Sequence, residues 1–124
     1  MFDDIRQIRR TRKIYNLKMF NSGSGAFREL EELEANALRD GALSQKHKEL
    51  IALGISIAQT CYGCIEYHVS KAVELGASRE EIVEATAVAL ALGGGVTQWP
   101  ARFVFKVLED LEGSAAHDST ENQT

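Results

Sequence analysis

Apolar residues in this chain recur at spacings of three and four, and no run alternates polar with apolar long enough to make a strand. A 3.6-residue period puts such positions on one face of a helix, whereas a half-buried strand needs a period of two. The spacing therefore predicts an all-α fold of about six helices. At 124 residues one domain is expected, and a chain of that size buries roughly two-thirds of its unfolded surface. Composition removes several classes. With 44% apolar and 26% charged residues it is globular. No stretch of about 18 uncharged apolar residues is present, so no membrane span is expected. A net charge of −4 argues against a nucleic-acid binder, which needs a basic surface. The N-terminus shows no apolar signal core, so a cytoplasmic location is expected.

Residues 2–20 read as a basic helix or arm, with Phe2, Ile5, Ile8, Ile14, Leu17, Met19 and Phe20 among six Lys and Arg. It is expected to be a surface helix or an arm packing on a partner subunit. Residues 21–25, Asn-Ser-Gly-Ser-Gly, form a loop by composition. Residues 26–39 make an acidic helix, with Phe27, Leu30, Leu33, Ala37 and Leu38 on one face and Glu29, Glu31, Glu32 and Glu34 in water. Ser44 caps the next helix, which reaches about Gln59 and is apolar on most of its surface. A helix from the cysteines to Gly76 follows. Ser78 and Glu81 form a capping box that launches Ile82 to about Leu92. Gly93–Gly95 break that helix, and a last one runs from about Thr97 to Leu111, with Pro100 in its first turn. The main domain is thus expected over 26–112, after an arm and loop at 1–25. Residues 113–124 are small, polar and charged and are expected to be a disordered tail.

The chemistry concentrates at Cys61-Tyr62-Gly63-Cys64, which holds the only two cysteines of the sequence. In a chain without further cysteines this spacing points to redox chemistry or metal. Cys64 and His68 are four apart and share a helix face. A helix beginning near Cys61 puts the sulfurs at its positive end, where a thiolate, the reactive form, is favoured. His68 can serve as base or cationic partner. Glu49 lies twelve residues before Cys61, and a helical hairpin would bring its carboxylate toward the thiol–imidazole pair. Rival readings are weaker. Haem attachment needs histidine where Ile65 stands. Structural zinc needs four ligands, and Cys61, Cys64 and His68 supply three, leaving His47 or Glu49 to complete the set. Two inert buried cysteines are the plain alternative. Tyr62 either covers the thiols or packs; Trp99 and Phe103 read as core or interface.

Glu49, eleven intervening residues, Cys61-x-x-Cys64, three more and His68 together resemble the AhpD-like (alkyl hydroperoxide reductase D-like) branch of the carboxymuconolactone decarboxylase family. The resemblance runs from about Phe27 to Leu111. It implies an all-α fold with a central helical hairpin carrying the C-x-x-C, assembled as a homotrimer or homohexamer. It implies a thiol-dependent peroxidase or disulfide reductase, with no cofactor and no metal. Its substrate would be a hydroperoxide or disulfide, and it would be recycled by an external dithiol or would donate electrons to a peroxiredoxin partner. Carried over, Cys61 and Cys64 are the redox pair, and Glu49 and His68 the proton relay. Some members hold a second relay histidine between the cysteines where this chain has Gly63, so a shorter relay is expected. Cys64 is assigned as nucleophile because it shares a face with His68. The alternatives are a decarboxylase-type lyase and a non-enzymatic redox sensor or oligomeric scaffold.

Overall fold

A computed structural model of the chain describes residues 4–121, with side chains described through Ala115. The six helices are α1 (Ile5–Phe20), α2 (Ala26–Leu38), α3 (Gln45–Ala58), α4 (Tyr62–Glu74), α5 (Arg79–Gly93) and α6 (Gln98–Glu121). A single 3₁₀ turn, Gly95–Thr97, joins the last two, and the described residues contain no strand.

The period-3.6 apolar faces do what the sequence expects of them. Leu53 and Ile57 on α3, Ile65, Val69 and Ala72 on α4, Ile82 and Ala89 on α5, and Phe103, Val104, Val107 and Leu108 on α6 make one buried cluster. Each large side chain sealed there contributes about 1.5–3 kcal/mol of transfer free energy. Helices α3 and α4 pack as a hairpin, α5 lies against α3, and α6 closes over α4. The C-x-x-C therefore opens the helix that α1, α3, α5 and α6 all contact.

Helix ends follow from local chemistry. The Ser44 hydroxyl accepts from the His47 N–H, and Ser78 and Glu81 make the full reciprocal capping box. At the other end of α4 the chain leaves through a Schellman turn: Ala77 N–H donates to Ala72 C=O and Gly76 N–H to Val73 C=O, with Gly76 at φ +92°. Helix α3 ends in the same motif, Cys61 N–H to Ser56 C=O and Thr60 N–H to Ile57 C=O. Here the left-handed position is held by Thr60 at φ +54°, a conformation that costs a β-branched residue energy.

Two expectations change. The segment from 113 onward, expected as a disordered tail, continues α6 as helix through Glu121; once the packed part of a helix is nucleated, each further residue propagates at little cost, and no proline stops it. Residues 122–124 lie outside the described residues, as does Phe2. Helix α2 has its expected acidic outer face, but none of its residues is buried. Its apolar stripe, Phe27, Leu30 and Leu33, stays exposed. Helix α1, expected as a surface helix or arm, keeps Ile14, Tyr15 and Leu17 exposed and is tied to its own chain by Ile5 in the core and by arginines that bind α4.

Candidate functional site

Cys61 is a junction between two helices. It ends the Schellman turn of α3 and is the N-cap of α4, where its sulfur accepts the Cys64 N–H at 3.2 Å. Cysteine thus takes the place that Ser, Thr, Asp or Asn usually hold, with sulfur as the capping acceptor. The same short turn sets Cys64 one helical turn on, and the two cysteines are joined as a disulfide with Cα atoms 5.2 Å apart. Both residues are partly exposed, so the sulfurs sit at the rim rather than within the core.

One turn further, the His68 ring nitrogen Nδ1 lies 2.6 Å from Glu49 Oε2. The hairpin of α3 and α4 makes this contact across nineteen positions of sequence. Glu49 is 1% exposed, whereas His68 is only half-buried. In the tautomer with Nδ1–H donating to the carboxylate, Nε2 is the ring nitrogen left to take or give a proton. Of the sequence-derived residues the structure thus brings Glu49 to His68 and Cys61 to Cys64, on adjoining turns of one hairpin. His47 is exposed and stands apart. Among the described residues no three His, Cys, Asp and Glu side chains cluster in a way that could hold a metal ion. Tyr62 packs edge-on against Phe103, ring centroids 5.3 Å apart. Trp99, expected as core or interface, is 54% exposed and lies under the Arg102 guanidinium.

A second buried carboxylate lies on the same helix, and sequence reasoning missed it. Glu66 is fully buried. Arg9 Nε reaches its Oε2 at 2.8 Å, Ser70 Oγ donates to the same oxygen at 2.7 Å, and an Arg12 guanidinium nitrogen donates to Oε1. Arg9 also pairs with Asp110 on α6 at 2.9 Å. Burial opposes the charged form of Glu66, but the hydrogen bonds from Arg12, Ser70 and Arg9 outweigh it and hold the carboxyl below its ordinary range. Arg9 is likewise held in its charged form: burial works against it, and the bonds to Glu66 and Asp110 prevail. Arg12 spends its remaining reach on the site itself. Its Nη1 donates to the Gly63 carbonyl at 3.2 Å, and its guanidinium lies over the Tyr67 ring, which in turn meets the His68 ring edge-on at 5.1 Å between centroids. A glutamate at an apolar-face position of α4 was the only sequence signal for this clamp.

Known proteins share this fold. The model of the carboxymuconolactone decarboxylase family matches residues 25–107, and the chain belongs to that family. An uncharacterized protein encoded in the cox locus of Paracoccus denitrificans is 37% identical over 75 residues, 60% of this chain and 68% of that protein. An uncharacterized Cupriavidus necator protein is also 37% identical, over 48% of this chain and 52% of its own length. Among solved structures, a Thermotoga maritima family member described in connection with the antioxidative response superposes with a TM-score of 0.83 at 32% identity, covering 90% of this chain and 95% of that one. A Legionella pneumophila family member in its apo form gives 0.82 at 31% identity, over 87% and 96%.

Proposed function

We propose that this chain is a thiol-dependent oxidoreductase of the AhpD-like kind, an alkylhydroperoxidase or disulfide reductase working through Cys61 and Cys64. The observation that carries the reading is the pairing of a partly exposed C-x-x-C at a helix N-terminus with a buried Glu49–His68 hydrogen bond one turn away. The Thermotoga relative's link to the antioxidative response points the same way. In the forward half, the Cys64 thiolate attacks one oxygen of a hydroperoxide. The O–O bond breaks, the alkoxide takes a proton from His68 and leaves as an alcohol, and Cys64 becomes a sulfenic acid. The Cys61 thiolate then attacks the Cys64 sulfur. The S–S bond forms and hydroxide departs as water, with the proton supplied through His68. Glu49 holds the imidazole's tautomer and balances its charge while it carries that proton. An external dithiol returns the pair to thiols by exchange, itself becoming a disulfide. The test is hydroperoxide consumption with a recycling dithiol. Turnover that vanishes in Cys64→Ser supports the reading. A protein that forms the disulfide yet never turns over is a sensor or scaffold, and release of carbon dioxide from a lactone acid would make it a lyase.

The working unit we infer is a homotrimer or homohexamer. Between α3 and α5 runs an apolar groove of about 560 Å³ lined by Leu50, Ile51, Gly54, Ile55, Val88 and Leu92 among others. Ile51, Ile55, Val88 and Leu92 are each more than half exposed. Apolar surface on this scale marks a contact face. Light scattering at micromolar concentration should give a multiple of 13.7 kDa; a monomeric mass would count against it.

A further inference from the structure

The Arg12 contact with Gly63 has a chemical consequence, because Gly63 C=O and Cys64 N–H belong to one planar peptide unit. Arg12 Nη1 donates to the carbonyl end of that unit at 3.2 Å. Its amide end donates to the Cys61 sulfur at 3.2 Å. The two bonds form a relay from a guanidinium on α1, through one peptide group, to the sulfur. A charged donor on the oxygen polarises the amide and strengthens the N–H as a donor. It also fixes the plane of the peptide at a glycine, the residue with the freest backbone.

We propose that Arg12 is a positioning residue for Cys61: by holding and polarising the Gly63–Cys64 peptide it strengthens the N–H bond that lets the Cys61 sulfur carry negative charge. The charged and titratable groups packed around this turn are Arg9 and Arg12 from α1, Tyr62, Glu66, Tyr67 and His68 from α4, Glu49 from α3 and Asp110 from α6. Two arginines stand against Glu66 and Asp110, so the clamp is balanced in charge. What reaches the sulfur is the directed dipole of one peptide, not a surplus of positive charge. Glu66 serves this by locking the guanidinium: buried and charged, it leaves Arg12 one orientation, with Nη1 on Gly63. The benefit falls on Cys61 as the thiolate that attacks the sulfenic acid and as the group that leaves when an outside thiol attacks Cys64. A leaving thiol with a lower pKa departs faster.

The inference deepens the redox reading and rests on it for what Cys61 does in turnover. The experiment is read without peroxide, so the two fail separately. In Cys64→Ser the backbone N–H at position 64 remains and Cys61 is the one thiol of the chain. The rate of its alkylation by iodoacetamide is measured against pH. Adding Arg12→Gln should move the midpoint to higher pH by about half a unit and slow the reaction at pH 7 by about twofold, the loss of thiolate being partly offset by its greater nucleophilicity. Arg12→Lys keeps the charge but loses the planar fork whose two nitrogens reach Gly63 and Glu66 separately, and should recover only part of the shift. Ser70→Ala takes a hydrogen bond from Glu66 without touching Gly63 and should leave the profile where it was. Coincident profiles with and without Arg12→Gln would overturn the proposal. So would an equal shift in Ser70→Ala, since the effect would then come from general loosening of the clamp.

Discussion

Helix α4 carries one buried glutamate and faces another, and the two are partnered in opposite ways. Glu49 reaches up from α3 to a single imidazole, His68. Glu66 is held by two guanidiniums and a hydroxyl. A histidine gains and loses a proton near neutral pH, and an arginine does not. On the proposed reading the first pair passes a proton, while the second holds still. If the site works as proposed, the difference teaches how one helix combines both needs of a dithiol centre: a movable proton one turn from Cys64, and a fixed brace from α1 on the turn between the cysteines.

The brace gives the largest expected effect. Removing both arginines, Arg9→Ala with Arg12→Ala, leaves a carboxylate buried without a charged partner, which costs about 3 kcal/mol in comparable cases. Urea unfolding at pH 7 should register that loss. Its pH dependence should also invert. In the natural chain Glu66 is held below its ordinary 4.5. The unfolded state thus binds the proton more readily, and the stability Glu66 contributes is present above about pH 4.5 and lost as the pH falls through its lower folded value. In the double variant burial dominates and raises the folded value, so stability should increase as the pH is lowered from 7 toward 5. A variant that gains no stability between pH 7 and pH 5 would show that the arginines are not what keeps Glu66 charged.

The relay should respond in rate rather than in stability. Glu49→Gln and His68→Ala are expected to slow alkylation of Cys64 at pH 7 by several-fold and to move its pH–rate curve upward. A near-isosteric Gln at position 49 should cost only about 1 kcal/mol of stability. If the curves of the natural chain and His68→Ala superimpose, the histidine is structural and the contrast between the two glutamates collapses.

The smallest effect sharpens a comparison of turns. The Schellman turns after α3 and α4 share one hydrogen-bond pattern, but one places Gly76 in the left-handed position and the other Thr60. Thr60→Gly removes the Cβ conflict at some expense in unfolded-chain entropy, and should raise stability by about 0.5–1 kcal/mol in thermal unfolding. No gain would mean that Thr60 is held there without strain.

What could be read from the sequence was whatever is encoded locally. Ser44, and Ser78 with Glu81, announce helix starts through side chains that satisfy amides three residues away. Cys61, Cys64 and His68 declare a shared face through a spacing of three and four. Glu49 was legible because its distance from the motif matches a family pattern; the 2.6 Å contact itself needs the hairpin to fold. Glu66 was not legible, because its partners lie 54 and 57 positions away, and a glutamate among Ile65 and Val69 looks like any polar interruption of an apolar face. Helix α2 misled for a related reason. Periodicity tells which face is apolar, not whether anything within the same chain covers it. Beyond Leu111 the composition is that of a tail, but composition does not register that a long packed helix runs on cheaply past its last core residue.

The central claim is that Cys61 and Cys64 cycle between dithiol and disulfide. The most direct measurement is a count of free thiols in the fully reduced protein before and after one equivalent of hydroperoxide, with the mass of the product. The account predicts two thiols falling to none, a loss of two hydrogens, and a bond between Cys61 and Cys64 within one chain. Two thiols still present after the peroxide has been left to react, or a product oxidised at one cysteine with the other still free, would contradict it.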